Sequence, residues 1–192
     1  MMAAVAFALG FTACETDDTE GLTRITYYPV FTIVGGESVS IPVGSTYVDE
    51  GCTATMGGVD ISDQIVVDSN VDASKMGIYT VTYSAVNADG FPASVTRTVN
   101  VCNPGQIDNL YTASTSYATR SYQGATVMIT DNGDGTYSID DMLCGFYWYG
   151  RYPGYEPTYD FHAEAVIKIS TAGVEIVSVG SWYFGSNDIT IA

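Results

Sequence analysis

Basic side chains are scarce in this chain: 6 Lys and Arg stand against 22 Asp and Glu, a formal net charge of −16 at pH 7. A surface this poor in cations cannot neutralise phosphates, which argues against nucleic acid and against an anionic membrane surface as partners of the folded part. Histidine is rarer still, with His162 alone. Without a second His, a CxxC pair or an HExxH helix, a transition-metal site has little to build on. No GxSxG elbow is present to activate a serine, and no pair stands out among Glu156, Asp160, Glu164 and Glu175 for glycoside hydrolysis. The expectation is a non-enzyme with no metal and no cofactor. Helical periodicity of useful length is also missing, and the uncharged opening, residues 1–14, is too short to span a bilayer.

What is present is β-forming. Fifteen Tyr accompany abundant Thr, Val and Gly. The clearest stretch runs over 77–101: Tyr79, Val81, Tyr83 and Ala85 alternate with Thr80, Thr82 and Ser84. A turn cluster, Asn87-Ala88-Asp89-Gly90-Phe91-Pro92, follows, and alternation resumes with Val95, Val99 and Val101 against Thr96, Thr98 and Asn100. Two such runs around such a turn predict an antiparallel hairpin, the last of a β-sandwich. Further strands are expected at 30–34, 38–43, 52–56 and 64–68 in this first half. In the second half they are expected at 112–120, 126–130, 136–140, 143–149, 161–170, 174–179, 182–184 and 189–191. Cys102-Asn103-Pro104-Gly105 marks the boundary between the halves. Asp131-Asn132-Gly133-Asp134-Gly135 places Gly where calcium ligands would be needed and is followed by no suitably spaced Glu. Turn chemistry accounts for each of its residues.

Several passages resemble known families. Phe11-Thr12-Ala13-Cys14 resembles a bacterial lipobox, which implies lipidation of Cys14 after cleavage. The basic region expected ahead of such a signal is missing, which suggests a start upstream of Met1. The acidic run Glu15-Thr16-Asp17-Asp18-Thr19-Glu20 is similar to the export signal of Bacteroidetes surface lipoproteins, though an ordinary solvated tether reads the same way. Gly44-Ser45-Thr46-Tyr47-Val48-Asp49-Glu50-Gly51-Cys52-Thr53-Ala54 resembles the GxxYxDxGaxA passage of the bacterial surface-protein Ig-like family, also found in pesticidal crystal proteins. The 77–101 hairpin matches that family's closing hairpin. Cys52 stands where the family usually has Ala, and Asn87 where it usually has an acidic residue, which removes support for an inherited cation site. GTYSIDDMLCGFYW resembles a small C-terminal domain that follows the Ig-like module in Bacteroidetes lipoproteins.

The resemblances imply an all-β chain, an Ig-like β-sandwich followed by a second small antiparallel β domain. Residues 1–14 form a lipoprotein signal, 15–24 an acidic tether, 25–102 the sandwich and 106–192 the second domain, whose closing strand is expected beyond residue 192. The implied address is the outer membrane, held by lipid alone and facing the exterior. With Cys14 lipidated, Cys52, Cys102 and Cys144 remain, so at most one internal disulfide can form. Cys52 and Cys102 are the pair within the first domain, and Cys144 reads as a small buried residue.

One stretch suggests a ligand. Trp148, Tyr149, Arg151, Tyr152, Tyr155, Glu156 and Tyr159 fall in a Gly/Pro-interrupted run. Flat aromatic faces stack on the C–H faces of sugars while Arg and Glu bond their hydroxyls. The same rings could equally fill the core of the small domain. Two functions therefore stand: an extracellular binding module for a glycan or a surface protein, as in polysaccharide uptake, or a structural and adhesive spacer with no small ligand.

Overall fold

The computed structural model describes residues 25–155, 158–180 and 182–184. Cys14, the acidic tether, Glu156 and the expected strand at 189–191 lie outside the described residues.

The fold is all-β. In the first half, β1 (Val30–Ile33), β3 (Cys52–Met56) and β4 (Val59–Asp60) form one sheet. The facing sheet has the order β2-β7-β6-β5, from β2 (Ser38–Pro42), β5 (Val66–Ser69), β6 (Gly77–Val86) and β7 (Pro92–Cys102). The β6–β7 hairpin is antiparallel, with Tyr83 opposite Val95 and Gly77 opposite Val101, whereas β2 joins β7 in parallel. Alternation decides which face is inside: Val81, Tyr83 and Ala85 are buried, and Val99 and Val101 meet them from β7. Phe31, Ile33, Val39, Ile41 and Cys52 pack on this cluster from the other strands. Burial of this kind contributes roughly 1.5–3 kcal/mol for each large side chain.

Arg97 shares the inward phase of Val95, Val99 and Val101 and is 1 % exposed. A buried guanidinium is tolerable only when its charge and N–H groups are all engaged. Its Nη1 pairs with Asp49, its Nη2 donates to the carbonyls of Val34 and of Gly51 (3.2 Å), and its Nε donates to Gly36 O (3.1 Å). Asp49 also accepts the hydroxyls of Tyr83 (2.7 Å) and Tyr47 (2.8 Å). The Tyr47 and Asp49 of the sequence motif are thus the two loop residues that hold the β7 arginine. Burial alone would raise the Asp49 carboxyl, but the bonds from Tyr83 and Tyr47 and the Arg97 charge outweigh it and hold the group below its ordinary value. Burial, followed by the bond to Asp49, pushes the Tyr83 hydroxyl well above the ordinary tyrosine value.

Asn87 organises the hairpin turn. Its Oδ1 accepts Asp89 N (3.0 Å) and Phe91 N (2.8 Å), and its Nδ2 donates to Tyr27 O (3.0 Å). A carboxylate at this position would lack that donor, which explains why the amide suits this chain. Cys52, Cys102 and Cys144 are free thiols.

The second half is a five-stranded antiparallel sheet of order β12-β11-β10-β9-β8. Its strands are β8 (Asn109–Tyr117), β9 (Arg120–Asp131), β10 (Thr136–Ile139), β11 (Ala165–Ser170) and β12 (Gly173–Val179). Ala118, at φ 55°, turns the chain between β8 and β9, so the strand expected at 112–120 ends before that point. The Asp131–Gly135 turn keeps its carboxylates for itself. Asp131 accepts Gly133 N (2.8 Å), and Asp134 accepts Thr136 N (2.9 Å) and its hydroxyl (2.6 Å).

The strand expected at 143–149 is not there. Residues 142–145 form turns and Phe146–Arg151 makes one π-helical turn. Cys144 and Gly145 both take left-handed backbone, φ 52° and 70°, which no strand accommodates. Cys144 is consequently half-buried rather than a core residue. A Cβ at position 145 would lie 2.9 Å from the Tyr149 ring and 3.1 Å from Ala125, so Gly there serves both the turn and its seat on β9. At 182–184, Trp182 makes an isolated bridge and Tyr183 and Phe184 lie in a turn, in place of the expected strand.

Candidate functional site

Asp140 and Asp141 position the aromatic segment. Asp140 Oδ1 accepts Met128 N and Asp141 N, each at 2.8 Å, which fixes the end of β10 against β9. Asp141 is buried, and its carboxylate accepts Leu143 N (3.0 Å), Gly145 N (2.6 Å) and Ala163 N (3.2 Å). One side chain thereby ties the start of the π-helical turn to the segment leading into β11. Phe146 in that turn and Phe161 ahead of β11 are buried, as are Ala125, Val127, Ala163, Ala165 and Ile167.

Above this base the remaining rings gather. Tyr152 stacks on Phe161 (5.2 Å between centroids, 23° between planes), and Tyr183 meets Phe161 and Tyr159 edge-on, each at 5.1 Å. Phe184 meets Tyr183 at 5.0 Å, and Tyr155 lies 5.9 Å from Tyr159. Tyr152, Tyr155, Tyr159, Phe161, Tyr183 and Phe184 line a cavity of about 280 Å³. Tyr155, Tyr159, Tyr183 and Phe184 are exposed, an unusual placement for four large rings side by side.

A second cavity, of about 370 Å³, shares Tyr159 and Tyr183 with the first and adds Thr158, Asp160, His162, Glu164 and Trp182. Asp160 Oδ1 accepts the His162 backbone N–H and faces its Nδ1, both at 2.9 Å. Among the described residues no group of three His, Cys, Asp or Glu is arranged to hold a metal ion.

Of the residues singled out from the sequence, Tyr152, Tyr155 and Tyr159 come together in the aromatic cavity. Tyr152 is half-buried: it stacks on Phe161, and the Arg151 guanidinium lies 4.8 Å from its ring centroid. Trp148 leans on His162, 4.2 Å between centroids, and Tyr149 stacks on Tyr122 of β9, so neither lines this cavity. Phe161, Tyr183 and Phe184 were not among the residues singled out. The Trp182-Tyr183-Phe184 triplet was the available signal, a second aromatic cluster in the same half.

Comparison with known proteins agrees with the all-β fold. The family described as "Bacterial surface protein, Ig-like domain" matches residues 31–101, and one described as a "-like, C-terminal domain" matches residues 68–192, more than half of the chain. Among solved structures, the lipoprotein BT2262 from Bacteroides thetaiotaomicron is similar at 26% identity and a TM-score of 0.57, covering 84% of each chain. Two structures of ZmpB from Clostridium perfringens also match, both at 18% identity. One contains CBM51-2 with GlcNAc and INT domains (TM-score 0.33, 74% of this chain and 30% of that one). The other contains the M60 catalytic domain with CBM51-1 and CBM51-2 (TM-score 0.34, 79% and 14%), and scores this low carry no weight for this chain. No curated protein matches. The chain carries a bacterial surface-protein Ig-like domain match over residues 31–101 and belongs to the family whose C-terminal-domain model spans residues 68–192.

Proposed function

We propose that this protein is a cell-surface lipoprotein that binds extracellular glycan and carries out no catalysis. The observation that carries this reading is the exposed aromatic cavity of about 280 Å³, built on the buried Phe161. Its rings offer flat apolar faces to sugar C–H groups, and the adjoining cavity supplies Thr158, Asp160, His162 and Glu164 for hydroxyls. Lipidation at Cys14 and an outward-facing site on the outer membrane complete the proposal, in keeping with the family and with the similarity to a Bacteroides lipoprotein.

Stacking and hydrogen-bond contributions of about 1 kcal/mol each, summed over a few contacts, place affinities in the micromolar to millimolar range. Calorimetric titration of the full chain against host and plant polysaccharides tests the site. Heat with at least one polysaccharide is expected. No heat with any would favour a spacer without a small ligand. The address is tested by Cys14→Ala, which should release the chain from membranes, and by protease added to intact cells, which should digest the wild type.

A further inference from the structure

We infer that the ligand is a polysaccharide held along its length, and that its site continues past the two cavities above onto the outer face of the C-terminal sheet. This deepens the glycan reading and rests on it.

Successive side chains of a strand point to opposite faces of the sheet. Ala125, Val127, Ala165 and Ile167 are buried on the inner face. The other phase forms a row across four strands: Thr130 of β9 is opposite Ser138 of β10, Ser138 is opposite Val166 of β11, and Val166 is opposite Ser178 of β12. The sheet is not flat there. Pairing of β11 with β12 shifts at Val166 and Ile167, which leaves Val177 as an extra residue on β12. A bulge of this kind bends its strand and increases the local twist. A third cavity, of about 300 Å³, lies over this row, with Met128 and Glu164 also in its wall. Three inter-strand spacings of about 4.8 Å make it roughly 14 Å across.

The three cavities are joined through shared walls. Glu164 lines both the sheet-face cavity and the polar cavity, and Tyr159 and Tyr183 line both the polar cavity and the aromatic one. One chain can therefore run from the outer face of the sheet, past Glu164, to the tyrosines. The sheet-face cavity offers what a sugar unit needs. Met128 and Val166 are half-buried and present apolar surface to C–H groups. Thr130 and Ser178 are exposed, and among the described residues neither hydroxyl makes a hydrogen bond. Each can donate to and accept from a sugar hydroxyl.

The test titrates the full chain with dimers and hexamers of the malto-, cello-, xylo- and manno-oligosaccharide series. In a series that binds, the hexamer is expected to bind at least about tenfold more tightly than the dimer, because contacts in the third cavity are added to those at the aromatic rings. Ser178→Trp and, separately, Thr130→Tyr place a ring in the sheet-face cavity from its two ends. Both positions are exposed on strands, where aromatic residues are well tolerated, and circular dichroism confirms the fold of each variant. Either variant should bring the hexamer down to the affinity of the dimer and leave dimer binding unchanged. Equal affinities of dimer and hexamer, or a length preference that survives in both variants, would overturn the extended site and leave glycan binding standing. No heat with any of these oligosaccharides or with any polysaccharide would overturn both.

Discussion

The two halves of this protein use tyrosine in opposite ways. In the Ig-like half, Tyr83 is fully buried, Tyr47 is half-buried, and both hydroxyls are committed to Asp49. In the C-terminal half, Tyr155 and Tyr159 are exposed, and their rings touch other rings. The first arrangement spends the polar end of tyrosine on holding a buried arginine. The second leaves flat faces and hydroxyls at the surface, where they contribute little to stability and are available to a ligand. The difference separates residues that hold the fold from residues that the proposed site would use, and the two sets can be perturbed separately.

The largest effect should come from the polar lock. Arg97→Met removes a guanidinium that is 1 % exposed and leaves Asp49 and three carbonyls without their partner. A cost of about 3–5 kcal/mol is expected, read by denaturant unfolding followed by circular dichroism. A cost below 1 kcal/mol would mean that the network is not what holds the loops to β7. Next is Asp141→Ala, which strands three backbone N–H groups beneath the aromatic segment and should cost about 2–3 kcal/mol. Both tryptophans, Trp148 and Trp182, lie in this half, so fluorescence-detected unfolding reports the change directly. An unshifted fluorescence transition would show that Asp141 does not anchor the site.

A smaller effect follows from pH. The Asp49 carboxyl sits below its ordinary value, so the stability it adds is complete above about pH 4 and is lost as pH falls through the lowered value. Tyr83 acts on the other limb. Its hydroxyl is raised, so above about pH 10 the unfolded chain releases its proton first and stability falls. Asp49→Asn should flatten the acid limb of a stability–pH curve. Persistence of the full acid limb in that variant would place its origin elsewhere.

The hairpin was legible in the sequence because β6 and β7 alternate strictly and their turn carries Asn, Gly and Pro. Arg97 was not read as an inward residue, although its spacing from Val95, Val99 and Val101 places it on their face; a charged side chain in phase with valines signals a buried ion pair, and the motif's Asp49 was its partner. The run 143–149 reads as a strand because it is apolar and aromatic. The competing signals were local: two adjacent Asp that can cap backbone N–H groups, and Gly145 where the chain turns left-handed. The site was legible only in part, since Tyr152, Tyr155 and Tyr159 are close in sequence. Phe161, Tyr183 and Phe184 reach them through the fold, by way of β11 and β12, and spacing along the chain does not reveal that.

The smallest expected change in stability belongs to the exposed rings, and it tests the division of labour most directly. A Tyr155→Ala, Tyr159→Ala double variant should lose less than about 1 kcal/mol of stability, in the range of surface substitutions, because both side chains are exposed. Its affinity for whichever glycan the wild type binds should fall at least about tenfold, as the loss of one or two stacking contacts requires. Unfolding and calorimetric titration on the same preparation supply both numbers. Intact binding, or a stability loss that matches Arg97→Met, would contradict the assignment of these rings to a ligand.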